Sequence, residues 1–550
     1  MTPSGPSLPV KKTLLACLRR ARSEVNASAM SSVPLVGLKR PLLCAAFGAA
    51  VLAAPSALAD GPAPAASAAA AAPQKLGMAF TKYTLANGLT VILHEDHALP
   101  MVAVNTMVRV GSRFEEAKRT GFAHLFEHLM FMGTRRVPTK MFDAWMEAEG
   151  GSNNAWTSED RTDYFSVGPA HSLKLLLWLD ADRFGSLADE MNLDKLNAQR
   201  EVVRNERRQT SENEPYGKVE LRLPELLYPE GHPYHHPVIG SHEDLEAAQV
   251  TDVVAFFKRF YVPNNCSLVV AGDFNADEVK GWVQTYFGGI PKASVKPAPD
   301  APAVKLTKVV RETIEDNVQL PKVVMAWPSA AHFATGDAEL DLLATVLDQG
   351  KASRLYKAVV YDKPLAQEVS ASQENGEMGS RFVVEAIARP GVKLETLEKA
   401  IDRELEKIRK EEVSQVELTR AQNQYEMAFF SQLQSVMRRA SLLNAYETWK
   451  GDPGFLDQDL ARYRNATPAG LLQAAKATLD PKGRVIIHVI PKKPDTDKAA
   501  SGAHLGAGGH SPAAQGSPGI KGATTPVGGS SPKKPAPATP APVKKPAGAK

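Results

Sequence analysis

The sequence predicts an α+β protein whose folded part consists of two similar half-domains, each a mainly antiparallel sheet packed with helices. Three observations carry this. Asn87-Gly88, a pair that favours tight hairpin turns, stands between two alternating apolar runs. A helix–turn–strand pattern closes a long stretch twice, as VTDVVAFFKRFYVPNNCSLVVAGDF and as TPAGLLQAAKATLDPKGRVIIHVIP. A Pro/Lys/Ala-rich piece, 291–311, separates the two stretches, as expected of a duplicated unit joined by a linker.

The chain begins with a leader over 1–59. Lys39 and Arg40 precede the apolar run PLLCAAFGAAVLAA, and Ala57-Leu58-Ala59 offers a small-x-small cleavage site. Such signals sit at the start of a chain, so the start is read at Met30 and cleavage after Ala59. The apolar run is too short to cross a bilayer, and no transmembrane span is expected in the mature chain. The reading is an exported protein of a periplasm or cell envelope. An Ala/Pro linker follows at 60–76. Residues 491–550 hold Pro, Ala, Gly, Ser and Lys and almost no large apolar side chain, the composition of a disordered tail.

The formal charge of +4 is the balance of +6 over 1–59, +7 over 491–550 and −9 between them. The folded part is therefore acidic, and nucleic acid is not an expected partner. Of the three cysteines, Cys17 and Cys44 lie in the leader, which leaves Cys266 without a mate for a disulfide.

The first half, 77–290, opens with the hairpin strands of KYTLANGLTVILHEDHALPMVAVNTMVRVGS, followed by a helical stretch at Thr120–Met132. GGSNNAW reads as a turn entering a strand. In the second half, 312–490, PKVVMAWPSA is a strand and DAELDLLATVLDQG a helix ending at Gly350.

Chemistry concentrates in GFAHLFEHLMFMGT, Gly121 to Thr134. His124, Glu127 and His128 share one helical face. Two imidazoles one turn apart can both point a ring nitrogen at one zinc ion, and the carboxylate beside them can take a proton from a zinc-activated water. This is the inverted H-x-x-E-H pattern. Leu125, Phe126, Leu129, Met130 and Phe131 imply burial, where unpaired polar groups are costly. Two histidines leave zinc one protein ligand short. The polar helix LDKLNAQREVVRNERRQTSENEPYG offers Glu201 and Glu206.

GSRFEEAKRTGFAHLFEHLMFMGT, GGSNNAWTSEDRTDYF and QREVVRNERRQ together resemble the pitrilysin/insulinase family of inverted zinc peptidases, in its bacterial mitochondrial-processing-peptidase-like branch, over about residues 77–490. The resemblance implies that the two halves form half of a clamshell that encloses peptides or unfolded protein segments. It implies one zinc held by His124, His128 and Glu206, 78 residues beyond His128, with Glu127 as general base and Glu201 turned away. It assigns Asn154, Ala155, Trp156 and Thr157 to an edge strand that binds substrate backbone. Gln199 stands where the family often has a supporting Glu.

Aligning the halves by Gly133 and Gly350 sets Asp341, Ala344 and Thr345 opposite His124, Glu127 and His128. The second half therefore holds no metal. Family members use that half to grip peptide with an Arg and a Tyr after a stretch like KASRLYKAVVYDKPLAQEVSA. Here Arg354 and Tyr356 read as packing residues, and the gripping positions fall on Tyr361 and Gln367. The missing pair implies a homologous metal-free partner subunit or a second copy of the chain. The alternative is a weakly active or non-catalytic peptide-binding or assembly subunit on the same fold.

Overall fold

The computed structural model describes residues 77–295 and 297–492. The leader, the 60–76 linker and all but the first two residues of the tail lie outside the described residues. Among the described residues, no helix is long and apolar enough to cross a membrane.

In the first half the strands are β1 (Thr81–Thr84), β2 (Thr90–Glu95), β3 (Met101–Val108), β4 (Ser152–Thr157), β5 (Thr162–Pro169) and β6 (Cys266–Gly272). Its helices are α1 (Phe122–Leu129), α2 (Met141–Ala148), α3 (Leu173–Ser186), α4 (Leu193–Arg207), α5 (Lys218–Leu227), α6 (His242–Ala247), α7 (Val250–Phe260) and α8 (Ala276–Phe287). The second half has β7 (Val310–Asp316), β8 (Lys322–Ser329), β9 (Ala366–Glu374), β10 (Ser380–Ala388) and β11 (Val485–Pro491). Its helices are α9 (Asp337–Asp348), α10 (Leu394–Lys410), α11 (Gln415–Leu433), α12 (Val436–Lys450), α13 (Leu456–Arg464) and α14 (Pro468–Thr478).

The first sheet has the order β1-β2-β6-β3-β5-β4 and the second β7-β11-β8-β10-β9. Leaving out β1, the orders are the same strand for strand. Each sheet has one parallel pair, β2 with β6 and β7 with β11, and is otherwise antiparallel. The α+β class and the duplication are thus visible in the topology. The hairpin at Asn87-Gly88 joins β1 to β2, with Thr84 opposite Thr90.

Two boundaries differ from the sequence reading. β7 starts at Val310, inside the stretch read as linker, because Val310 and Arg311 already pair with β11. β11 ends at Pro491, one residue into the stretch read as tail. The larger difference is an exchange of helices. Val219, Leu223 and Leu227 of α5, a first-half helix, pack on Val324, Ala326, Val383, Val485, Ile487 and Val489 of the second sheet. Ala440 and Leu443 of α12, a second-half helix, pack on Ile92, Ala103, Val269 and Ala271 of the first. Strand alternation makes this possible. In β11, Val485, Ile487 and Val489 face α5 while Ile486 faces the helices of its own half. β6 is buried along its whole length because it is covered on both faces.

A polar seam fixes α12 in register. Asn444 Nδ2 donates to the carbonyls of Asn105 (3.0 Å) and Ser267 (3.2 Å), and Asn105 Nδ2 donates to Asp163 (2.7 Å) and Ser441 (3.2 Å). Buried amides satisfied in this way hold one arrangement against its alternatives.

Candidate metal centre

α1 is positioned from its N-terminus. Glu115 lays its carboxylate across the free amides there, accepting from Gly121 N (2.8 Å) and Ala123 N (2.7 Å). A carboxylate suits the positive end of a helix dipole. Burial pushes this carboxyl well above its usual range, against the pull of the amide bonds. Asp244 accepts from Thr120 N at 3.0 Å and anchors the preceding residue. Gly121 has φ +83, and a Cβ there would come within 2.7 Å of the Ile239 carbonyl oxygen. A side chain at that point would push the Pro237–Gly240 loop off the helix.

Within α1, Phe122, Ala123, Leu125, Phe126 and Leu129 are buried. Phe126 packs among Phe256, Phe257 and Tyr261, with ring centroids 5.7, 5.6 and 4.3 Å away. Packing leaves His124 and His128 side by side on the opposite face, ring centroids 4.8 Å apart. α4 crosses that face. Its N-cap Asn192 accepts from Lys195 N at 3.0 Å, and Lys195 Nζ reaches the Gly133 carbonyl at 3.0 Å, tying α4 to the end of the α1 segment. This brings Glu206, in the last turn of α4, over the imidazoles. Glu206 Oε2 lies 3.8 Å from His124 Nε2 and 3.2 Å from His128 Nε2. One ligand atom from each of the three lies within 4.8 Å of the others. Glu201 points away, its side chain 56% exposed and paired with Arg204 at 2.7 Å.

The donor set fits a zinc ion. Two imidazole nitrogens and one carboxylate oxygen converge, as in catalytic zinc sites. Glu206 Oε2 is buried and makes no well-directed hydrogen bond, although His128 stands next to it. A cation among the three atoms would supply the missing partner. Burial, with the neighbouring His128, lowers His124 to about 4, so it is neutral and ready to ligate near pH 7. Burial opposes charge on His128 and Glu206, but their mutual contact outweighs it, raising the first and lowering the second. Gln199 also touches His128.

Glu127 is 8% exposed and accepts a 2.6 Å hydrogen bond from Thr157 Oγ1. Burial raises its carboxyl to about 7. A positive ion beside it would favour the ionised, proton-accepting form.

The site opens on a cavity of about 760 Å³. Asn154, Ala155, Trp156 and Thr157 line one wall; they lie on β4, the last strand of the sheet among the described residues. Sequence reasoning missed the other walls. These are Glu220, Leu221 and Pro224 of α5, the loop Pro237–Ile239, and Arg381 of β10. Arg381 is the group that reaches the cavity from the second sheet. Burial works against its charge, but Glu374, Glu220 and Glu159 outweigh that and raise its pKa. No signal in the apolar strand SRFVVEAIA marks it. The positions read for a gripping pair do not line the cavity, and Tyr361 is 77% exposed on the surface. Arg354 binds Glu417 at 2.7 and 2.9 Å, a packing role.

In the second half, α9 occupies the place of α1. Asp341 there accepts from Tyr463 Oη at 2.7 Å, and Thr345 Oγ1 donates to the Asp341 carbonyl at 3.0 Å. Among the described residues, His124, His128 and Glu206 form the one cluster of metal-ligand type.

Two family models match the chain. The model described as insulinase (peptidase family M16) matches residues 90–234, which include all four groups of the site. The model described as peptidase M16 inactive domain matches 247–425. The chain is similar to the zinc protease PqqE of Helicobacter pylori, 31% identical over 68% of this chain and 84% of that protein. The fold is similar to the crystal structure of a protease from Helicobacter pylori, with TM-score 0.70 and 28% identity over 75% of this chain and 99% of that one. It is also similar to the periplasmic protease PqqL of Escherichia coli, with TM-score 0.62 and 17% identity, covering 78% of this chain and 51% of that one.

Proposed function

The chain belongs to the insulinase (M16) peptidase family, and from that premise we propose that it is an exported zinc endopeptidase acting on peptides or unfolded protein segments. The observation that carries this is the convergence of His124, His128 and Glu206 within 4.8 Å, with the Glu127 carboxylate beside them in a cavity lined by β4, the outermost described strand of its sheet. His124, His128 and Glu206 would hold the metal. When bound, zinc polarises a carbonyl and lowers the pKa of a water to about 7.

The chain's own residues do the rest. Glu127 takes the proton of the attacking water and passes it to the leaving amine. Thr157 holds the Glu127 carboxylate by its 2.6 Å bond. The edge of β4 at Asn154–Thr157 accepts an extended segment as an added strand, which limits substrates to chains without fixed structure. α1, α4 and β4 are locked to one another around these groups, so bond-making atoms meet fixed partners.

Export and a partner belong to the same proposal. The leader read over 30–59 supports export, and PqqL is described as periplasmic. This chain spans 51% of PqqL, so that chain is long enough to hold a second such pair of halves. The expected arrangement is a heterodimer with a homologous metal-free subunit, or a homodimer.

The test compares wild type and Glu127→Gln for zinc content and for cleavage of an unstructured peptide. Zinc is retained and cleavage falls by about a hundredfold to ten-thousandfold, the usual worth of a positioned general base. If both proteins hold zinc and are equally inert with every partner supplied, the peptide-binding alternative takes its place.

A further inference from the structure

We propose that Thr157 is a positioning residue for Glu127, joining the aim of the general base to the strand edge on which substrate lies. The inference rests on the proposed role of Glu127 and deepens it. Thr157 closes β4, so its main chain belongs to the edge that accepts an extended segment. Its side chain does something different. Thr157 Oγ1 stands 2.6 Å from Glu127 Oε2.

The hydroxyl has one proton and two acceptors in reach. The second is Thr162 Oγ1, its cross-strand neighbour, at 3.5 Å. Thr162 spends its own proton on the Val110 carbonyl at 2.9 Å. The short contact to a carboxylate wins over the long one to a neutral hydroxyl, so Thr157 donates to Glu127. A Glu side chain turns about three bonds, and the last is broad. One charge-assisted bond therefore fixes the plane of the carboxylate and leaves its other oxygen free for a water.

Two variants separate the donor from the shape. Thr157→Val keeps the branched volume and loses the hydroxyl; Thr157→Ser keeps the hydroxyl. In the zinc-loaded full chain, Thr157→Val should retain its zinc and hold KM for an unstructured peptide within about twofold, while kcat falls about tenfold to a hundredfold. Thr157→Ser should recover most of kcat. A second readout needs no activity. In chemical denaturation of the metal-free chain, Thr157→Val and Glu127→Ala should be non-additive, the double variant losing less than the two single losses together.

Wild-type kcat in Thr157→Val overturns the proposal, as does a Thr157→Ser as impaired as Thr157→Val. A raised KM with kcat unchanged also overturns it, since that reports substrate contact alone. A wild type that holds zinc but cleaves nothing sinks the functional reading instead, and the denaturation cycle then decides the Thr157–Glu127 contact by itself.

Discussion

The two halves of this chain share a strand order once β1 is set aside, and one helix shows their chemical difference. Each follows its matching strand, β3 or β8, with a helix entered through a left-handed glycine, Gly121 before α1 and Gly336 before α9. α1 then carries His124, Glu127 and His128. α9 carries Asp341, Ala344 and Thr345 at the positions set by Gly133 and Gly350. The one acid among these three is absorbed by the fold: Tyr463 donates to Asp341, and burial with the neighbouring Asp337 raises that carboxyl well above the usual range. The comparison teaches that this architecture is complete without a metal. On the proposed function, the three polar groups of α1 answer to chemistry, and the fold tolerates them.

That comparison can be broken at its structural root. If the halves were independent units, a cavity in one would leave the other untouched. The exchange of α5 and α12 says otherwise. Leu443 is fully buried under the first sheet although it lies between β10 and β11 of the second in sequence, and Leu227, between β5 and β6, is fully buried the other way round. Leu443→Ala and Leu227→Ala should each cost about 2–5 kcal/mol, as buried Leu→Ala changes do. Both should lower one common thermal transition in calorimetry. Two resolved transitions, with only one of them moved, would separate the halves again.

A smaller effect sharpens the same contrast. Asp341 has its folded pKa raised to about 8 by burial and by Asp337. A raised carboxyl binds its proton more tightly folded than unfolded. Its contribution is full below the unfolded value of about 4 and is lost as pH rises through the folded one. Asp341→Asn removes that titration. Between about pH 5 and pH 8, wild type should lose more stability in urea than the variant, by at most about 1.4 kcal/mol for each pH unit crossed. Equal slopes would mean that Asp341 does not titrate in the fold.

Much of this was legible in the sequence, for physical reasons that differ by residue. His124, Glu127 and His128 declare themselves because one helical turn brings them together; the relation is local. Glu206 does not, because α4 is rich in charge, and only its crossing over α1 separates Glu206 from Glu201. Resemblance to a family, and not periodicity, made that choice. The duplicated sheets were readable because alternation and turn residues recur in both halves. The helix exchange was not, since an amphipathic helix shows that it has a partner and not which sheet the partner is. Arg381 and the donor role of Thr157 were hidden for a similar reason. A strand sequence gives the face a side chain occupies and leaves open what stands opposite.

On the proposed function, one half holds the metal and the other has no use for it. Zinc measured per chain by elemental mass spectrometry, after dialysis against a weak chelator, tests it most directly in wild type, Glu206→Ala and Thr345→Ala. Wild type and Thr345→Ala should each keep about one zinc ion per chain. Glu206→Ala should fall far below that, a loss exceeding the roughly 10–100-fold in affinity expected for a partner outside the ligand set. If Glu206→Ala keeps as much zinc as wild type, Glu206 is not a ligand and the centre has been placed wrongly.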